Sequence, residues 1–435
     1  MVAIPLPALG SQALPPMPGA AAAAGLAEVV EAARSAAGRL PVPTPRDEAW
    51  RFTDLSALAR QPWQVDAGAA PALDAALLAP LELDEAADAR LVFVDGRFAP
   101  VLSSTAALPS GVRVGALAAM LADGGPAVRE HLGRHAAFDV DFFSAVNTAR
   151  LGDGAAVVCG RGVQVPGAVH LLFLSTGQPA PLAMQPRVLV VAGEGSELTV
   201  VEEYASLGDS MVFTNAVTEC VVEPGATLRH VRLQRENAVS FHVGRCAVSV
   251  ARDARYRSVA VDIGARLSRL DHAVTLAGEG AEVTRDGLAL LDGRQHADSH
   301  TLLDHAKPHG TSRQLHKCVC DGGSHAVFNG RILVRPDAQR TDSSQQSRAL
   351  LLSARAQVNA KPQLEIHADD VKAAHGATVG QLDADELFYL ASRGLPADQA
   401  RRLLTYAFAA EVIERIPVRS LVGRLAAQVM ARSGL

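Results

Sequence analysis

The chain carries 435 residues, 49% hydrophobic and 20% charged, with a formal net charge of −5. That length suggests two to three domains and ample chain for a buried core. No run nears the roughly eighteen uninterrupted apolar residues of a membrane span, and the dispersed basic residues, nearly all arginine, leave no footprint for a nucleic-acid backbone. Neither a membrane nor a nucleic acid is an expected partner.

The opening MVAIPLPALGSQALPPMPG lacks a basic leader and is broken by prolines, unlike a secretory signal, so a cytoplasmic protein is expected. Residues 20–40 are alanine-rich, with Leu26, Val29, Val30 and Ala33 at helical spacing, and Pro41 and Pro43 stop the pattern. Further on, Leu91 to Val94 and Phe98 flank Asp95-Gly96, the signature of a tight hairpin. Phe142, Phe143, Val146 and Ala149 predict one more helix before the pattern changes at Gly152-Asp153-Gly154. The first 150 residues therefore read as a mixed, largely helical region.

Beyond this point the pattern is strand, short turn, strand. The hexamer Gly193-Glu-Gly195-Ser-Glu-Leu198 nearly recurs as Gly278-Glu-Gly280-Ala-Glu-Val283, with the related turn Glu223-Pro-Gly225-Ala-Thr-Leu228 between them. Arg252 to Tyr256 falls where another is due. A turn roughly every 26 to 30 residues, each followed by an alternating strand, fits coils stacked as a parallel β-helix. Strands also occur at the shorter spacing of a sandwich, and the longer period selects the β-helix.

A helical unit closes the chain. Asp383-Ala-Asp-Glu386 has capping-box spacing, with Leu387, Phe388 and Leu390 on the apolar side of the helix it opens and Arg393-Gly394 at its end. Pro396 begins a helix over residues 397–416 with Leu403, Leu404, Ala407, Phe408 and Ile413 on one face, and a third helix runs over residues 418–432. These apolar faces either dock a partner or pack on one another.

Among side chains able to carry chemistry, His375 stands out, in the polar run EIHADDVKAAHGATVG between strands and helices. A lone imidazole there suits a metal ligand, a proton carrier or a packed core residue. His296 and His300 would share a face on a helix, but their segment suits strands, on which four residues span about 13 Å, so structural histidines are expected. The five cysteines (Cys159, Cys220, Cys246, Cys318, Cys320) are odd in number and scattered, which argues against disulfides and a CxxC-type zinc or cluster site. Cys318 and Cys320 read as small core residues, and one of Asp369 and Asp370 as a turn-former. No phosphate loop, nucleophile elbow or dinucleotide fingerprint is present, which disfavours a self-contained ATPase, hydrolase or dehydrogenase.

Several ordered motifs carry a resemblance. They are Glu48-Ala-Trp50-Arg-Phe52-Thr; LVFVDGRF from Leu91 to Phe98; Gln295-His296-Ala-Asp298 with Asp304-His305; Ser312-Arg-Gln314-Leu-His316-Lys317; Val327-Phe-Asn-Gly330; Lys361-Pro-Gln-Leu-Glu365; and Leu387-Phe-Tyr-Leu390 with Ser392-Arg-Gly394. Over residues 45–416 the chain resembles the SufB/SufD family of the SUF iron-sulfur cluster assembly machinery, and its SufD branch in particular. The resemblance implies a mainly β fold. A right-handed parallel β-helix core (residues 151–382) would lie between an N-terminal helical or mixed region (1–150) and a C-terminal helical domain (383–435).

It also implies a non-catalytic assembly subunit that pairs with SufB through the β-helix and binds the ATPase SufC through its C-terminal helices. Leu387, Phe388, Leu390, Arg393, Leu403 and Phe408 are the matching docking positions. An iron-sulfur cluster would be held transiently, shared with SufB, with none tightly bound in this chain alone; a homodimer is a possible state in isolation. The functional histidine of the family motif DVKCSHGAT falls on His375, as a ligand or proton carrier working with a SufB cysteine. Here the motif's Cys-Ser is Ala373-Ala374, so His375 would depend on sulfur from the partner. Two rival classes are a purely structural scaffold without a ligand role and a β-helix carbohydrate-active enzyme.

Overall fold

The computed structural model describes residues 4–10, 26–65, 73–105, 108–123 and 125–431. Most of the proline-broken opening, the first part of the helix expected from residue 20 and the last residues from 432 on lie outside the described residues. The N-terminal region runs through α1 (Ala27–Arg39), α2 (Ser56–Ala59), the hairpin of β1 (Arg90–Val94) and β2 (Arg97–Phe98), β3 (Val112–Ala116), α3 (Leu117–Ala122), α4 (Pro126–His131) and α5 (Phe142–Ala149). Asp95 and Gly96 both have positive φ, 50° and 80°, as the two-residue hairpin turn requires. Asp141 caps α5 by accepting from the Ser144 amide.

The chain then winds as a parallel β-solenoid of about eight turns, so the longer sequence period identified the architecture. Its first strands are β4 (Gly154–Cys159), β5 (Val169–Ser175), β6 (Leu182–Met184), β7 (Arg187–Ala192) and β8 (Glu197–Ser206). The regular coils follow as β9 (Val212–Val222), β10 (Thr227–Arg235), β11 (Phe241–Val250), β12 (Arg255–Asp262), β13 (Leu267–Leu276) and β14 (Glu282–Leu291). The last are β15 (His296–His305), β16 (Thr311–Cys320), β17 (His325–Val334), β18 (Thr341–Leu351), β19 (Gln357–Ile366) and β20 (Val371–Gly380). Even-numbered strands from β8 onward stack in one sheet and odd-numbered strands from β7 onward in the other. The run around His375 is thus the final strand of the solenoid.

The recurring turn has a backbone cause. Gly195, Gly225, Asp253, Gly280, His309 and Arg340 all take positive φ, between 55° and 69°. Their amides point along the stack: Gly225 N donates to Arg252 O, Asp253 N to Glu279 O and His309 N to Gln339 O, each at 2.9 Å. A left-handed residue at this recurring turn redirects the chain and ties each coil to the next.

Between the sheets Leu198, Val200, Leu228, Val248, Leu270 and Ile332 belong to one buried apolar cluster, each contributing about 1.5–3 kcal/mol of burial. The outward face of the even-numbered sheet is covered by the C-terminal helices α7 (Ala397–Ile413) and α8 (Arg419–Ala431), with α6 (Ala384–Ser392) packed on α7. Val412 and Ile413 of α7 and Leu421, Leu425 and Val429 of α8 pack with Val231, Val259, Leu288 and Leu315. Ion pairs fix the dock: Arg424 to Glu203 at 2.6 Å, Arg415 to Asp286 at 2.7 Å and Lys317 to Glu411 at 2.5 Å.

Asp383 caps α6 as its spacing predicts, accepting from the Asp385 and Glu386 amides. The expected apolar face of α7 holds in part. Ile413 is buried and Leu404 and Phe408 half-buried, whereas Leu403 and Ala407 are exposed and Ala409 and Val412 are buried, because the C-terminal half of the helix meets the sheet. That helix also ends at Ile413, three residues before the expected boundary.

Candidate functional site

The two ends of the solenoid differ. At its start the sheets finish in the two-residue β2 and the five-residue antiparallel β3, short edges that resist further pairing. At its finish they bare two full ten-residue strands, β19 and β20. Among the described residues no further strand pairs with their outer amides and carbonyls, which leaves a template for strand addition. Interior-type apolar residues emerge there: Ile366 is 39% and Val379 53% exposed.

His375 lies on that final strand. Directly paired residues of parallel strands share a face, and the register places His230, Ser258, Arg285, Gln314, Gln345 and His375 in one column along the even-numbered sheet. Gln345 points between the sheets: its Nε2 donates to Gln314 Oε1 at 2.9 Å, and Gln314 Nε2 donates to Thr301 Oγ1 at 2.9 Å. Gly330 of the opposite sheet leaves room for it, since a Cβ there would lie 2.3 Å from Gln345 Nε2. His375 is therefore the exposed terminus of an inward polar column.

No sulfur accompanies it. Ala373 and Ala374 precede His375, and the nearest cysteines along the stack, Cys318 and Cys320, sit on β16, two coils back and at least four residues along the strand from its register position, about 16 Å or more away. Both are buried core residues, as the sequence predicts. Burial pushes the Cys318 thiol up and the Cys320 thiol to about 12, so neither offers a thiolate.

The other expected histidines are structural. His296 accepts or donates a 2.9 Å bond with Thr53 and packs against His325, with ring centroids 4.8 Å apart; burial pushes it down to about 4. His300 lies 3.0 Å from Asp298, and His305 bonds Ser312 at 2.9 Å. Asp298 also accepts from Thr53 and Arg269, each at 2.5 Å, and the Arg269 guanidinium lies 3.8 Å over the Trp50 ring. The Glu48 to Thr53 motif thus clamps the N-terminal region onto β13 and β15. Asp370 belongs to a bend whose carbonyl accepts from Arg340, in line with a turn-forming role.

The docking positions divide. On α6 Phe388 is 75% and Tyr389 57% exposed, Leu387 and Leu390 are half-buried, and no residue of the helix is fully buried. Arg393 stacks on Tyr389, and Leu403 is 40% exposed. Phe408 instead turns toward the solenoid, with the Lys317 ammonium 4.3 Å over its ring.

One constellation escaped sequence reasoning. Cys220, His230 and Cys246, on β9, β10 and β11, bring their ligand-type atoms within 4.8 Å of one another, all buried. Their scattered spacing argues only against a CxxC-type site; Cys220 and Cys246 are about one coil apart, so stacking brings them together. The turn period gives a clue, but the match between facing sheets cannot be read from one strand. Hydrogen bonding with Cys220, with His272 and His230 beside it, holds the Cys246 thiol well below its ordinary range. Burial opposes a charge on His230, yet bonds to Cys246 and Glu202 push it up to about 10.

The solenoid thus has covered flanks, one closed end and one bared end. Comparison with known proteins specifies it. Residues 173–408 match the SUF system FeS cluster assembly, SufBD core domain, and residues 19–171 the SufBD protein N-terminal region. The chain is 39% identical over 404 residues to an iron-sulfur cluster assembly SufBD family protein of Synechocystis, covering 91% of this chain and 88% of that one. It is 34% identical over 399 residues to the iron-sulfur cluster assembly protein SufD of Escherichia coli, covering 91% and 89%. It is also 34% identical over 391 residues to the chloroplastic protein ABCI7 of Arabidopsis thaliana, covering 88% and 80%. The chain belongs to the SufBD family of the SUF iron-sulfur cluster assembly system. Among the described residues no helix is long and apolar enough to cross a membrane.

Proposed function

We propose that this chain is a SufD-type, non-catalytic cytoplasmic subunit that pairs its bared solenoid end with a SufB-type paralogue and binds the ATPase SufC through α6 and the adjoining part of α7. The observation that carries this reading is the bared end: two ten-residue edge strands with exposed Ile366 and Val379, and His375 at the terminus of an inward polar column. A homologous solenoid supplies complementary edges and apolar residues; without a paralogue the same edges suit a second copy of this chain.

In this reading His375 presents an imidazole to the nascent cluster or moves a proton during its assembly. Sulfur must come from across the interface, because Ala373 and Ala374 supply none and the thiols of β16 are buried and protonated. The cluster is cargo, released rather than kept. Exposed Phe388, Tyr389 and Leu403, with half-buried Leu387 and Leu390, support α6 as the SufC dock. Phe408, packed inward, would act by supporting α7.

Co-expression of tagged chain with SufB- and SufC-type proteins tests the reading. Recovery of all three in one complex is expected, and a chain that captures neither partner refutes it. A charged pair on the bared edge, Ile366→Asp with Val379→Asp, should release the paralogue while leaving SufC bound.

A further inference from the structure

We propose that Cys220, His230 and Cys246 form a binding site for one thiophilic divalent metal ion of the zinc class, enclosed within the solenoid and separate from the bared end. Two sulfurs and an imidazole nitrogen from three consecutive strands lie within 4.8 Å of one another. Such atoms can share one ion at about 2.3 Å from sulfur and about 2.0–2.1 Å from nitrogen. The soft sulfur donors select against magnesium and calcium, which take oxygen.

The surroundings support a ligand role. Glu202 Oε2 sits 3.2 Å from His230 Nε2 and accepts from Thr218 at 2.9 Å, while its Oε1 accepts from Tyr204 at 2.5 Å. A carboxylate fixed in this way orients the ring and raises its basicity, the common outer partner of a metal-bound histidine. Tyr256 bonds His230 Nδ1 at 3.0 Å and His272 Nε2 at 3.2 Å, and the bond to Nδ1, the nitrogen left for the ion while Nε2 faces Glu202, gives way as the ion binds. His272 is the register partner of Cys246 on the next strand, and its Nδ1 has no hydrogen-bond partner although the residue is 4% exposed. It borders the site from outside the group of three. Leu198, Leu228, Val248 and Leu270 line the same part of the interior, where buried polar groups need partners.

With the site closed to solvent, the ion enters as the chain folds, and any protons on the two thiols leave as it binds. His230 and His375 share a column but lie five strand steps apart, about 24 Å. The inference therefore stands independently of the proposed role of His375.

The test uses the full chain, unfolded, refolded with Zn2+ or Co2+, dialysed against a chelator and analysed for bound metal. About one equivalent is expected in wild type and in His375→Ala, below about a tenth in Cys220→Ser with Cys246→Ser, and the cobalt form should show sulfur-to-metal charge-transfer absorption. His272→Gln should keep that band but weaken retention by roughly 10–100-fold. Refolded wild type without metal overturns the proposal and leaves a thiol–imidazole pair. Equal retention by the double variant also overturns it. Should that variant fail to fold, wild type without the cobalt band still refutes the site.

Discussion

Asp298→Asn should destabilise the chain by about 3 kcal/mol at pH 7. The buried carboxylate accepts from Thr53 Oγ1 and Arg269 Nη1, both at 2.5 Å, so the change weakens two charge-assisted bonds across the seam between the N-terminal region and the solenoid. Breaking a buried ion pair from one side costs about 3–5 kcal/mol. The lower end applies, because Arg269 keeps Asp271, with Nε and Nη2 at 2.8 and 3.0 Å. Burial alone would raise the Asp298 carboxyl; the Arg269 guanidinium, His300 and Thr53 together hold it well below the usual carboxylate range. A carboxyl lowered by folding contributes stability above its unfolded value of about 3.9 and loses it as pH falls through the folded value. The gap between wild type and variant should be full at pH 7 and close progressively below about pH 4. Urea titrations followed by circular dichroism measure it. A gap under about 1 kcal/mol at pH 7, or one that does not narrow in acid, would refute the clamp.

Other outcomes follow from the same geometry. Gly278→Ala places a Cβ 2.0 Å from the Arg252 amide nitrogen of the neighbouring coil and should cost about 1–3 kcal/mol, whereas Gly376→Ala, with open space on the last strand, should be near neutral in the same titration. His305, pushed down to about 4 by burial, stays neutral in the fold while the unfolded chain protonates near 6.5, so its contribution is present above that value and lost toward pH 4. His305→Gln should therefore flatten the acid slope of stability by about 2 kcal/mol between pH 7 and 5. Phe388→Asp with Tyr389→Ser should abolish SufC capture at an unchanged melting temperature; capture at wild-type level would remove α6 from the dock.

Much of the solenoid was legible because its turns repeat, and the signal faded where chemistry disguised the repeat. Asp253, His309 and Arg340 adopt the positive φ that glycine supplies at 195, 225 and 280, so the period continues after the glycines stop marking it. His375 was visible through its motif, but its inward column and its place on an edge strand depend on register, which arises between coils. The Cys220, His230 and Cys246 cluster was hidden for the same reason: donors from both sheets meet only after stacking. The buried stripe of α7 was legible only in part because that helix carries apolar residues on two sides, and only contact with the sheet decides between them.

The most direct test of the central claim is iron and sulfide content after in-cell assembly, compared between complexes holding wild-type chain and His375→Ala. The account predicts equal recovery of SufB- and SufC-type partners from both, with iron and sulfide in the variant reduced at least tenfold, about 1.4 kcal/mol in an equilibrium. Equal iron and sulfide in the two complexes would contradict a role for His375 in cluster assembly and leave this chain a structural scaffold alone.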